Sequence, residues 1–294
     1  MSDFQWDPTS TQIYNSSFGN TALNGTGTQF GKKSGTEFRM DAPGCKLALA
    51  VTDETPVNWP LMDGNVDTFL DMYFEQGDFS LDARGNIYLG MKSDGGRYNT
   101  SESIKLDVTE STVSITSTDG QLIIGGKDSS FLQARYNGEL ILQALQIDFC
   151  AGNINCNGNS KITCSAINIE ANLVNGDIQG TRPVFNLITD VTDTPQIEFK
   201  NKIKNGRNPW DFTGGSEKQT GTCNFVTNGK TSSNKGKFIF RGVQGFDKQY
   251  IQTAGFLAID GIPVIGLDEF NARFNINEIY QDGQTYWTIE ISMK

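Results

Sequence analysis

Between residues 101 and 180, apolar and polar positions alternate in short bursts, and the bursts recur. The pairs Ile104/Leu106, Val113/Ile115, Leu122/Ile124, Leu132/Ala134, Leu140/Leu142, Ile147/Phe149, Ile154/Cys156, Ile162/Cys164 and Ile167/Ile169 each hold one residue between two inward candidates. Most pairs follow the previous one by seven to ten residues. A period of two marks a strand with one buried face. Strands this short cannot each build a core, so they must stack on the next copy to bury their apolar side. The pattern predicts an all-β, elongated, β-solenoid-like shaft whose core is lined by these residues. Asn and Gly between the pairs supply the tight corners. A phrase of seven to ten residues is short for a coil closed by one chain. It points instead to three chains intertwined about one axis, an obligate homotrimer.

Outside the shaft the rhythm changes, and four regions follow. Residues 1–38 are rich in Gly, Asn, Ser and Thr with scattered aromatic anchors, and read as a flexible arm that orders against a partner. Within them Gly25 to Gly31 reads as a flexible linker, because it lacks the spacing and the lysine of a phosphate loop. Residues 39–100 read as a small β attachment domain. Lys46–Val51 is a buried strand there, Val66–Phe74 fits either a helix or a strand, and Asp82–Gly85 is a hairpin turn. Residues 101–180 are the shaft. Residues 181–294 form a less regular β tip or head, with strands at 195–199, 223–226, 237–240 and 256–259. A terminal hairpin runs from Phe274 to Ile291 about Asp282-Gly283. No helix of more than two turns is expected after residue 75.

Composition narrows the chemistry. The chain has 294 residues, no histidine, 32 glycines and a net charge of −10. The missing histidine excludes a Ser-His-Asp triad, a Cys-His dyad and the usual zinc sites. The acidic balance argues against a nucleic-acid partner, which needs clustered Lys and Arg. Five cysteines, with a polar N-terminus that lacks an apolar signal segment, indicate reduced thiols and synthesis in a cytoplasm. Cys156 and Cys164 fall at equivalent places in adjacent repeats, where they fill the core as small hydrophobes stacked about one strand spacing (~4.8 Å) apart. No cofactor and no metal site is indicated, an axial ion included, and the carboxylates read as a solvated face.

The phrase Ser160-Lys-Ile-Thr-Cys-Ser-Ala-Ile-Asn-Ile-Glu-Ala171, followed by Leu173-Val-Asn-Gly-Asp-Ile-Gln-Gly180, resembles the intertwined triple β-helix of central, membrane-piercing spike proteins of contractile-tailed bacteriophages and related injection machines. The resemblance covers about 80 residues. It implies a homotrimeric virion protein at the tail tip. Its N-terminal region would bind the tail hub or baseplate and its C-terminal end would breach the host envelope, without enzymatic turnover. The His-x-His iron pair of several family tips has no counterpart in this chain. The phrase Phe256-Leu-Ala-Ile-Asp-Gly-Ile-Pro-Val-Ile-Gly266 looks more like those of tail fibres. A trimeric fibre or adhesin is therefore the alternative, binding a host receptor through residues 184–294 with Trp210, Tyr250, Tyr280, Tyr286 and Trp287 as candidate contacts. A β-helix polysaccharide-degrading enzyme is the third reading, disfavoured because tight turns leave no room for catalytic loops.

Overall fold

The computed structural model describes residues 3–61, 69–90, 92–94, 97–99, 103–125, 130–170, 183–189, 192–201, 210–211, 223–229, 234–243, 245–280 and 287–294. The protein is all-β. Among the described residues it adds three α-helices, α1 (Gly27–Phe30), α2 (Gly245–Thr253) and α3 (Leu267–Arg273).

Most strands belong to three parallel ladders, and the chain visits the ladders in turn. The first ladder begins at Gln12–Asn15. It runs through the leading halves of Glu37–Val51 and Phe69–Ala83, then Ser103–Thr109, Phe131–Arg135, Asn153–Asn157, Val184–Ile188 and Cys223–Val226, to Ala254–Ile259. The second begins at Thr21–Gly25. It continues through the trailing halves of the two long strands, then Ser111–Ser117, Glu139–Gln143, Lys161–Ala166, Gln196–Asn201 and Lys237–Val243. The third holds Val57–Trp59, Ile87–Leu89, Gln121–Ile124, Gln146–Phe149, Asn168–Glu170 and Trp210–Asp211.

Register turns the alternating pattern into continuous apolar rows. One row of the first ladder reads Phe38, Met72, Leu106, Leu132, Ile154, Phe185, Cys223, Leu257. In the second ladder a row reads Leu49, Leu81, Ile115, Leu142, Cys164, Phe199, Phe240. These side chains are all at most 2% exposed and belong to one contiguous core. Each buried aliphatic or aromatic side chain contributes about 1.5–3 kcal/mol. The outer face of the first ladder carries an amide row. Asn186 Nδ2 donates to Asn155 Oδ1 at 2.9 Å, Asn224 Nδ2 to Asn186 Oδ1 at 2.9 Å, and Gly261 N to Asn224 Oδ1 at 2.9 Å.

Corners stack as closely as strands do. Gly90 ends a third-ladder strand at φ +75°, and a Cβ there would sit 2.1 Å from the Gly125 carbonyl oxygen of the next corner. Only glycine satisfies both the left-handed backbone and that approach.

Several expectations are corrected by this architecture. The pairing step ranges from 22 residues (Leu132 to Ile154) to 41 (Phe199 to Phe240), because the phrase of seven to ten residues is one side of a pass. Three phrases carry the chain through all three ladders, as Ser103–Thr109, Ser111–Ser117 and Gln121–Ile124 do in turn. Cys156 and Cys164 are not stacked neighbours. Cys156 pairs with Ala134 and Leu187 in the first ladder, and Cys164 with Leu142 and Phe199 in the second. Asp82–Gly85 is a corner between ladders, not a hairpin, since Phe69–Ala83 and Ile87–Leu89 do not pair. The nine-residue α2 exceeds two turns.

The region read as an arm supplies the first strand of two ladders. Phe4, Tyr14 and Phe30 are buried, and α1 is closed by a Thr26/Gln29 capping box. Ladder pairing also crosses each of the three region boundaries drawn from the sequence, as Arg39 with Ile13, Leu70 with Ile104 and Ile154 with Phe185.

Candidate functional site

The C-terminal end departs from the parallel plan. Ala254–Ile259 turns at Asp260-Gly261 into the antiparallel strand Ile262–Ile265, and α3 follows. Phe274–Tyr280 pairs antiparallel with Trp287–Met293, which also pairs antiparallel with Lys237–Val243. Ile262–Ile265 and Phe274–Tyr280 each have one partner strand among the described residues, so each is an edge. Pro263 suits such an edge, because it donates no hydrogen bond to a further strand. The turn is bolted down: Thr227 N donates to Asp260 Oδ1 at 2.7 Å, and Asp260 N to the Phe225 carbonyl at 3.0 Å.

This end exposes apolar side chains. Ile262 is 71% exposed, Ile265 64%, Leu267 48%, Ile279 44% and Tyr280 56%. Only Ile13, Tyr136 and Leu145 match them among the other described large hydrophobics. Exposed apolar side chains mark a contact surface where they gather into one patch.

Of the five aromatic contacts expected from sequence, the structure brings two together. Tyr280 and Trp287 face each other across the terminal hairpin, ring centroids 6.1 Å apart. Trp287 is half-buried, and Tyr280 is the exposed member. Tyr250 lies on α2, half-buried, 6.4 Å from the Phe256 ring. Helix α2 reaches the hairpin through an ion pair from Lys248 to Glu278. Trp210 is elsewhere, on the third ladder in register with Ile169. Tyr286 and the Asp282-Gly283 turn lie outside the described residues. The exposed isoleucines went unread in the sequence, although Asp260-Gly261 between two apolar runs is a hairpin signal.

The expected shaft residues Ile104, Leu106, Val113, Ile115, Leu122, Ile124, Leu140, Leu142, Ile147, Phe149, Ile154, Cys156, Ile162, Cys164 and Ile169 are all buried. Ile167 is corrected: it sits half-buried at the corner after Lys161–Ala166, and Ala166 takes the inward place.

Two further arrangements carry chemistry. At the N-terminal end a cleft of about 370 Å³ is lined by Gln5, Trp6, Pro8, Leu23, Asn24, Gln29 and Phe30. Beside it Lys32 is fully buried, its Nζ donating to the carbonyls of Asp7 and Ser10 at 2.7 Å and to Gln12 Oε1 at 3.0 Å. Nζ lies 5.0 Å from the Trp6 ring centroid. Burial lowers the Lys32 pKa to about 8, with the Asp7 charge opposing the shift. On the third ladder Asp148, Glu170 and Asp211 share one register row. Asp148 is 1% exposed, and Gln146 Nε2 donates to its Oδ1 at 2.7 Å. Among the described residues no group of three or more metal-ligating side chains converges, and no helix is long and apolar enough to cross a membrane.

No protein-family model, curated protein or solved structure matches this chain.

Proposed function

We propose that the chain is a structural β-solenoid of a virion tail, a fibre- or spike-type rod whose C-terminal end makes contact with a host surface. The observation that carries this reading is the concentration of exposed apolar side chains on two strand edges at that end, above a core that is continuous along the chain. A stacked apolar core with inter-pass hydrogen bonds suits a part that must transmit load without changing shape. The exposed Ile262, Ile265 and Tyr280 favour the contacting fibre over a piercing point, because a point gains nothing from uncovered isoleucine. The expected attachment to a hub or baseplate falls to the N-terminal end, where the first strands of the first two ladders stand.

The test is surface binding by the full chain to bacterial cells. Ile262→Asp with Ile265→Asp should abolish saturable binding and leave the melting temperature within a few degrees, since both side chains already face solvent. Unchanged binding by this variant would overturn the assignment of the contact end.

A second reading, a polysaccharide-degrading enzyme, draws on the register row Asp148, Glu170, Asp211 and on passes of 22–41 residues. Passes of that length remove the objection from short coils. Release of reducing or unsaturated sugar ends from a bacterial polysaccharide, lost in Asp148→Asn, would make it the leading one.

A further inference from the structure

The outer wall of the second ladder near the C-terminal end gathers positive charge on a chain of net charge −10. Glu198 points outward from Gln196–Asn201, yet its side chain is only 2% exposed, because three cations close over it. Arg241, from the next pass, donates its Nε to Glu198 Oε1. Lys161 Nζ, from the previous pass, lies 3.4 Å from Oε2, and Lys200 Nζ lies 3.5 Å from the same atom. Burial alone would push the Glu198 carboxyl up. The Arg241 hydrogen bond and the charges of Arg241, Lys200 and Lys161 outweigh it and hold the carboxyl below its ordinary value. Lys237, in register with Gln196, pairs with Glu290 at 3.3 Å.

Four cations therefore face two carboxylates. Glu139, in register with Lys161 on the pass before, stands at the rim. Lys161, Lys200, Lys237 and Arg241 are 38%, 41%, 44% and 45% exposed, so each keeps donors turned to solvent. The carboxylate organises the cluster: it fixes three flexible cations in place before any ligand arrives, which lowers the ordering cost of binding.

The layout selects the partner. The backbones of Lys161 and Lys237 stand on one side of Glu198 and those of Lys200 and Arg241 on the other, four residues or about 13 Å apart along the strands, while the charged heads of Lys161, Lys200 and Arg241 converge on the one carboxylate and that of Lys237 reaches Glu290. One three-cation cluster at Glu198 and a further cation at Glu290 on the neighbouring strand match a linear chain carrying anions at intervals. Ile239, the middle residue of the last pass, is 7% exposed, so the wall offers no described apolar group to enter a bilayer. It also offers no described aromatic platform for unpaired bases. We propose that this wall binds an acidic polysaccharide, a chain of sugar rings bearing carboxylate, sulfate or phosphate groups. The site lies apart from the exposed isoleucine edges and does not depend on them.

Heparin, a linear sulfated glycan, is the probe, with the full chain in titration calorimetry at several salt concentrations. The expected result is saturable binding that weakens as salt rises. Lys161→Ala with Lys200→Ala should weaken it about five- to tenfold, as loss of two partly exposed ion contacts implies. Arg241 still covers Glu198 in that variant. Should it fail to fold, Lys237→Ala supplies the same test, because Glu290 keeps its Asn277 contact. Lys46→Ala, an exposed cation at the far end of the same ladder, should change nothing. Ile262→Asp with Ile265→Asp should leave heparin binding intact, which separates this proposal from the contact end. The proposal is overturned by any of four results: no binding at low salt, equal loss in Lys46→Ala, competition by inorganic sulfate as effective as heparin, or tighter binding of phosphatidylglycerol vesicles than of heparin.

Discussion

Replacing Phe199 with alanine probes how the stack holds together. The ring is fully buried in the second-ladder row, between Cys164 on one pass and Phe240 on the next. Its centroid is 5.4 Å from that of Phe240, nearly parallel at 14°, and 5.0 Å from Phe185 at 88°. The substitution removes the transfer energy of the ring, empties a space that neighbouring strands cannot close, and breaks both ring contacts. Phe→Ala in such a setting costs about 3–5 kcal/mol, whereas Phe199→Leu keeps most of the volume and should cost about 1.5 kcal/mol or less. In a stack of nearest-neighbour contacts the loss stays local. Urea denaturation gives the total, and native-state hydrogen exchange gives its distribution. Amides of Lys161–Ala166, Gln196–Asn201 and Lys237–Val243 should lose protection together, while those of Glu37–Val51 keep theirs. Equal loss in Glu37–Val51 would refute nearest-neighbour stacking. A total cost below about 1 kcal/mol would refute the packing of the ring.

Lys32, whose pKa burial lowers from 10.5 to about 8, binds fewer protons folded than unfolded between those values. This group therefore makes stability rise with pH across about 8 to 10.5, and the rise should be absent from Lys32→Met; parallel urea-midpoint profiles for the two chains would contradict it. Burial pushes the Cys156 thiol up to about 12 and those of Cys164 and Cys223 well above the ordinary value, so iodoacetamide at neutral pH should label half-buried Cys45 first. Peptide mapping that finds Cys156 or Cys164 modified before Cys45 would count against the core. Asn186→Ala removes two amide hydrogen bonds from the outer row and should cost about 1–2 kcal/mol in thermal or urea unfolding. An unchanged midpoint would mean that water replaces the row at no cost.

Inward positions were legible in the sequence because a period of two survives any change in loop length. Val113 and Ile115 announce their direction whatever lies between them and their partners. What the pattern could not carry is the identity of the partner. Leu140 pairs with Val113 and Ile162, three phrases away in each direction, and adjacent phrases lie on different ladders. The spacing of phrases therefore looked like the coil when it was only one side. The N-terminal strands were hidden for a different reason. Gln12–Asn15 and Thr21–Gly25 are first on their ladders and offer few apolar residues of their own, and their order comes from Phe4, Trp6 and buried Lys32 folding over them. The Thr26/Gln29 capping box was present as a Thr-x-x-Gln signal within a stretch that glycine content made look like a linker. Glu198 and its cations come from three separate passes, so no local motif joins them.

Whether pairing lies within one chain or between chains sets what an assembly of three copies could be. Where three chains intertwine, each strand borrows its hydrogen-bond partners from the others, and a lone chain is unfolded. If the rows from Phe38 to Leu257 and from Leu49 to Phe240 form within each copy, three copies would join as finished folds through side chains or strand edges. Dilution should then separate copies without loss of strand content. Sedimentation velocity and far-ultraviolet circular dichroism, followed together across a dilution series, test this directly. The expected outcome is an unchanged spectrum whatever mass is observed. A spectrum that collapses as the mass falls to that of one chain would mean that the ladders need a neighbour's strands, and the single-chain stacking would have to be abandoned. The two cases also differ mechanically. An intertwined shaft resists separation by its backbone, whereas a bundle of finished rods is only as strong as the surfaces between them. The edges at Ile262–Ile265 and Phe274–Tyr280 are the places where such a bundle would gain most.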